Sequence, residues 1–156
     1  MAKARDVPEL DSAQSFREAA AMAVRVRAEE VFEHAGGVLD VTDIERVHAM
    51  RVATRRLRAV MEIFAPAFPR KQHRELLKEV KALADALGER RDRDVAIESM
   101  TRIGLALTAT DRRGIDHLID ELRDEQRGAN AALAAALQAL EGNDLRGRLR
   151  ALAATQ

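Results

Sequence analysis

The sequence predicts an all-α protein, an antiparallel helical bundle of about five helices. Three observations carry this. Ala, Leu, Arg and Glu dominate and β-branched residues are few, which is the composition of a helix former. Apolar residues recur at helical spacing along most of the chain. The breaks between those runs are short, so successive helices pack in opposite directions. At 156 residues and 47% hydrophobic, the chain is long enough to build one core of its own.

Pro8 and Asp11-Ser12 precede the first helix, expected from about Ser12 to His34, and Ser15 with Glu18 fits a capping box. Gly36-Gly37 ends it. Thr42-Asp43-Ile44-Glu45 reads as a second capping box, opening a helix that runs to about Phe64. Pro66 and Pro69 interrupt the chain; Pro69 suits the first turn of a third helix reaching about Leu87, with Gly88 as its C′ residue. A fourth helix is expected from about Asp92 to Leu107, followed by a loop over Thr108 to Gly114. The fifth carries Ile115, Leu118, Ile119, Leu122, Ala129, Leu133 and Leu137 at helical spacing and closes at Gly142-Asn143. The expected organisation is an N-terminal tail over 1–11, the bundle over 12–141, and a weakly helical tail over 142–156.

Composition also excludes chemistry. Without Cys there is no thiol nucleophile, disulfide or Cys metal site. Without Trp or Tyr a base-stacking platform for single-stranded nucleic acid is not expected. No run approaches the roughly 20 apolar residues of a membrane span, and the polar Met1–Leu10 segment lacks the apolar stretch of a signal peptide. A cytoplasmic, membrane-free protein is the expectation.

The 26 basic and 26 acidic residues cancel only in total. Between Arg46 and Arg93 there are 13 basic and 6 acidic residues, so that segment is +7 and the remainder −7. At about 100° per residue, His48, Arg51, Arg55 and Arg58 fall within roughly 80° of each other, opposite the apolar Met50, Ala53, Leu57 and Met61, and Arg56 flanks them from the other edge. On the third helix Lys71, Arg74, Lys78 and Lys81 again share an arc of roughly 80°. Solvated faces usually alternate sign at i,i+4; here Arg51-Arg55 and Arg74-Lys78 place like charges there. Repeated on consecutive helices, that choice points to a multivalent anion that offsets the repulsion.

The run Val47-His48-Ala49-Met50-Arg51-Val52-Ala53-Thr54-Arg55-Arg56-Leu57-Arg58 closely resembles the signature of the CHAD family, the conserved histidine α-helical domain. Leu87-Gly88-Glu89-Arg90-Arg91-Asp92-Arg93-Asp94-Val95 resembles that family's second recurrent stretch. The resemblance implies an all-helical module that binds inorganic polyphosphate through a basic surface, without catalysis. It carries His48, Arg51, Arg55, Arg56 and Arg58 over as ligand contacts, with Lys78 and Lys81 on the next helix and Arg91 in the R-D pair; Lys71, Arg74 and Arg90 complete the expected polyphosphate-binding set. Family members usually contain two related bundles. This chain has one H-x-x-R helix, since His117 is followed by Leu118-Ile119-Asp120, so it is expected either as a fragment or short, half-length member, or as a homodimer that completes a double bundle, the homodimer being the expectation. Association with polyphosphate granules would follow.

The expected chemistry is bidentate hydrogen bonding from guanidinium forks to phosphate oxygens, which suits a chain with 22 Arg and only four Lys. His48 either adds a hydrogen bond and a titratable charge or bonds structurally to a neighbouring helix. Glu45-x-x-His48 has di-iron spacing but no second copy, and Asp92-x-Asp94 fits a helix start better than Mg²⁺, so neither a metal nor a cofactor is expected. His34 and His73 are expected on the surface, and Arg123 and Arg127 on a solvated face. Two other readings use the same basic surface: a nucleic-acid-binding or regulatory module, and an accessory to a polyphosphate-processing enzyme. An enzyme in its own right has no nucleophile with a paired base to support it.

Overall fold

The computed structural model describes residues 3–7 and 10–154; Pro8, placed ahead of the first helix, lies outside the described residues. Five α-helices follow one another: α1 Phe16–Glu33, α2 Ile44–Ile63, α3 Arg70–Leu105, α4 Ala109–Gly142 and α5 Leu145–Ala154, with a single 3₁₀ turn over Ala65–Ala67. No strand occurs among the described residues.

The first capping box is present. Ser15 Oγ accepts from the Glu18 N–H at 3.3 Å, and Glu18 Oε2 accepts from the Ser15 N–H at 2.7 Å, so α1 starts at Phe16. The second is absent. Asp40 Oδ1 accepts from both the Thr42 N–H and the Thr42 hydroxyl, and Asp43, not Thr42, is the residue that precedes α2, without a side-chain cap.

The expected third and fourth helices are one. Gly88 sits in mid-helix in α3, and the only positive-φ glycine among the described residues is Gly37. An internal glycine costs about 1 kcal/mol relative to Ala. The buried stripe of Leu76, Val80, Leu83 and Leu87 continues without a break into Arg90 and Asp94, and that packing outweighs the cost. The expected loop over Thr108–Gly114 is the start of α4: Thr108 Oγ1 accepts from the Asp111 N–H and donates to the Asp111 carboxylate. The segment expected as a weakly helical tail is α5. Alone, ten residues would be marginal as a helix. Leu145, Leu149 and Leu152 are all at most 1% exposed, and burying each is worth roughly 1.5–3 kcal/mol.

Cross-helix contacts fix the directions. Arg51 reaches Gly88, Arg91 reaches the Ile44 carbonyl, and Lys81 reaches Glu62, so α2 and α3 run antiparallel with their numbers summing to about 135–143. Asp94–Gln126, Arg90–Asn130 and Gly104–Ile115 set α4 antiparallel to α3. Glu29 of α1 binds both Arg146 and Arg150 of α5, and Arg148 binds Glu79 of α3. α1, α2, α3 and α5 therefore enclose the main core around Val24, Met50, Leu57, Met61, Leu83 and Leu149, and α4 packs along α3 and against α5.

Candidate anion-binding surface

α2 presents its basic face because Met50, Ala53, Leu57 and Met61 anchor the opposite side in the core, each at most 1% exposed. Arg55 is exposed, Arg51 and Arg58 are half-buried, and His48 is half-buried one turn before Arg51. On α3, Lys71, Arg74 and Lys78 are exposed and Lys81 is half-exposed. Among the described residues Arg51, Arg55, Lys71, Arg74 and Lys78 have no carboxylate partner, and His48 has no hydrogen-bond partner.

The antiparallel register converts two stripes into one track. Arg51 lies level with Gly88, where an added Cβ would stand in ordinary contact 3.9 Å from its Nε, which places the Arg51 side chain against α3. Arg58 and Lys81 meet at Glu62: its Oε1 accepts from Arg58 Nε at 3.1 Å and from Lys81 Nζ at 3.0 Å. The α2 cations thus occupy the upper part of the groove and the α3 cations the lower part. From the level of Gly88 to Lys71 is 17 residues of α3, about 25 Å at 1.5 Å per residue. Hydrogen bonds from Lys81 and then Arg58 hold the Glu62 carboxyl below its usual range, so it remains an anion within the track. This bridge was only half legible in sequence, as the i,i+4 pair Arg58–Glu62; its cross-helix arm to Lys81 needs the fold.

The lower end of the track gains from the helix itself. α3 begins after Pro69 with Arg70 and Lys71, has no side-chain cap and carries no acid in its first turn. A helix start favours negative charge by about 0.3–1 kcal/mol, so cations there add to a positive potential rather than neutralise it. Exposed Glu75 and Asp85 also lie on this helix, and Asp85 bounds the α3 stripe above Lys81.

Other expected contacts lie elsewhere. Arg90 is wholly buried: its Nε donates to Asp94 Oδ1 at 2.9 Å and its Nη1 to Asn130 Oδ1 at 2.5 Å, while Gln126 donates to the same Asp94 oxygen at 2.6 Å. It is a core residue linking α3 to α4, because position 90 continues the Leu83–Leu87 stripe. Arg91 is 14% exposed and donates to the Ile44 carbonyl, with Glu45 3.7 Å away, so it tethers the start of α2. Arg56 is half-buried toward α1; there, against the effect of burial, hydrogen bonds from the Arg5 N–H and then Arg27 hold the Glu30 carboxyl down, and the charge of Arg56 adds to them. His73, expected on the surface, is 6% exposed; its Nε2 hydrogen-bonds the Met61 carbonyl at 2.8 Å and its ring stacks on Phe68. It falls on the inner face of the first turn of α3, where it closes the α2–α3 connection. No group of acidic residues and histidines that could hold a metal ion occurs among the described residues, and no helix among them is long and apolar enough to cross a membrane.

Fold and residue placement together define an all-helical bundle whose α2 and α3 carry exposed and half-buried Arg and Lys side chains. The family model for the CHAD domain matches residues 22–156, nearly the whole chain, and the chain belongs to that family. CHAD domains are associated with polyphosphate binding and are generally non-catalytic. No curated protein and no solved structure matches the chain.

Proposed function

We propose that this protein binds inorganic polyphosphate without cleaving it, along the α2–α3 groove. The observation that carries the reading is the single track of about 25 Å formed by Arg51, Arg55, Lys71, Arg74 and Lys78, none of them paired to a carboxylate among the described residues. A single orthophosphate would engage one or two of these groups. An extended polyanion engages all of them at once, and Arg51 and Arg55 supply bidentate donors at one end of the path. Arg58 and Lys81 lie on the path and become available when Glu62 releases them. His48, one turn before Arg51, extends the track at its upper end.

Titrating orthophosphate and polyphosphates of increasing length into the protein tests this. Affinity rises with chain length until the ligand spans the track, then levels off. Reversing Arg51 and Arg55 to Glu abolishes binding with helicity unchanged. Equal affinity for orthophosphate and long chains refutes the reading, and displacement by duplex DNA at matched phosphate concentration assigns the groove to nucleic acid instead.

A further inference from the structure

α2 begins opposite Arg91, and the α3–α4 hairpin continues beyond that level. Where the hairpin leaves the bundle, a hollow of about 400 Å³ opens between it and the start of α2, a size that suits a small organic ligand. α3 lines it with Asp94 and Glu98, and α4 with Arg123, Gln126 and Arg127. Val41, Ile44 and Ile97 form its apolar part. Two of the polar side chains are more than nine-tenths buried and incompletely bonded. Asp94 is 1% exposed; its Oδ1 accepts from Arg90 and Gln126, while its Oδ2 has no partner. Gln126 is 8% exposed; its Nε2 donates to Asp94, and its Oε1 accepts from no donor among the described residues. Buried acceptors are nearly always satisfied, so two open ones lining the same hollow mark a place where a donor binds.

The surrounding charges specify more than water. Pairing of Asp94 with Gln126 sets Glu98 nearly level with Arg123 on the facing helix. The two are oppositely charged, yet they do not pair with each other. Glu98 has only a 3.9 Å contact with Arg102, and Arg123 and Arg127 pair with Asp120 and Asp124 on their own helix. Exposed pairs of this kind are weak and yield to a better-placed anion. The hollow thus carries carboxylates on its α3 side, two guanidinium groups on its α4 side and apolar surface beside them. Neither a plain anion nor a plain cation matches both sides. We propose that this hollow binds a free α-amino acid with an apolar side chain. The ammonium takes up the open acceptors of Gln126 and Asp94, beside the Glu98 carboxylate. The carboxylate replaces Asp120 and Asp124 as the acceptor for Arg123 and Arg127. The side chain covers Val41, Ile44 and Ile97, of which Val41 is 43% exposed in the free protein. A residue inside a peptide carries neither charge and leaves both sides unmatched. The hollow shares no residue with the polyphosphate track.

The chain has no Trp or Tyr, so calorimetry rather than intrinsic fluorescence measures binding. Free leucine titrated into the full chain gives a saturable isotherm. Alanine binds more weakly by about tenfold or more, because it lacks most of the apolar side chain. Isocaproate, which lacks the ammonium, and isopentylamine, which lacks the carboxylate, each lose about tenfold or more. Trimethylated leucine keeps both charges but has no N–H to donate; it loses about tenfold or more, which reads out the two buried acceptors. Glu98→Gln weakens leucine binding by about tenfold, and so does Arg123→Gln combined with Arg127→Gln. Arg113→Gln, exposed on α4 and outside the hollow, leaves it unchanged. All four positions are exposed, so circular dichroism is the same for every variant. No heat from leucine, isoleucine or phenylalanine up to about 10 mM overturns the proposal. Leucine binding that the trimethylated analogue matches, or that survives loss of both arginines, overturns it too. All these measurements are made without polyphosphate.

Discussion

Glu62 links the cations of α2 to those of α3 within the basic track, and replacing it tests whether the track works as a unit. In the free protein its Oε1 holds both Arg58 and Lys81. Glu62→Gln removes the charge and keeps the shape, turning two occupied cations into free ones. By analogy with single-stranded nucleic acid, each neutralised phosphate adds about 0.7 to the slope of log K against log salt. The five unpaired cations then give a slope of about −3.5, and the variant's seven give about −4.9. Between 0.1 and 0.2 M salt the wild-type affinity falls about 11-fold and that of the variant about 30-fold. At low salt the variant binds more tightly. Fold stability changes little, because exposed ion pairs contribute about 0–1 kcal/mol. Fluorescence anisotropy with a labelled polyphosphate at four salt concentrations measures both quantities. An unchanged slope would mean that Arg58 and Lys81 never contact the ligand. A weaker affinity at every salt would mean that Glu62 organises the groove rather than competing for it.

Two further predictions concern stability. Hydrogen bonds from Arg150 and then Arg146 hold the Glu29 carboxyl down to about 2, below its ordinary 4.5. A depressed folded-state pKa stabilises the protein above about pH 4.5, and the contribution is lost as pH falls toward 2. Glu29→Gln should therefore lower stability at pH 7 by about 1–2 kcal/mol, allowing for solvent around the arginines, and flatten the acid limb of a urea-denaturation series. The buried Arg90–Asp94 pair leaves Arg90 Nη2 and Asp94 Oδ2 without partners. Arg90→Met strands the Asp94 charge and should cost about 3–5 kcal/mol, whereas Arg90→Met with Asp94→Leu returns to within about 1–2 kcal/mol of wild type, as chemical denaturation of both variants will show.

Local signals carried much of the architecture. The helical class, the Ser15 cap and the basic faces follow from spacing and capping within a few residues, and the limits of α2 follow from spacing, its expected capping box being absent. Helix interruption did not. Gly88 and Gly114 look like breaks in one dimension, but neither takes a positive φ, and packing of the flanking apolar stripe overrides a penalty of about 1 kcal/mol. For the same reason α5, weak by itself, becomes a helix only where the core receives its leucines.

The division at the site has the same origin. The sequence by itself determined that cations outnumber anions between Arg46 and Arg93 and lie on two helix faces, because the turn of a helix fixes which residues share a side. Only the tertiary structure decided which of those cations remain available. Arg90 turned inward, Arg91 and Arg56 were taken up by neighbouring helices, and the register of α2 against α3 joined the rest end to end through Glu62. Charge pairing across helices depends on interhelical register, and register is set by long-range core packing that no local spacing contains.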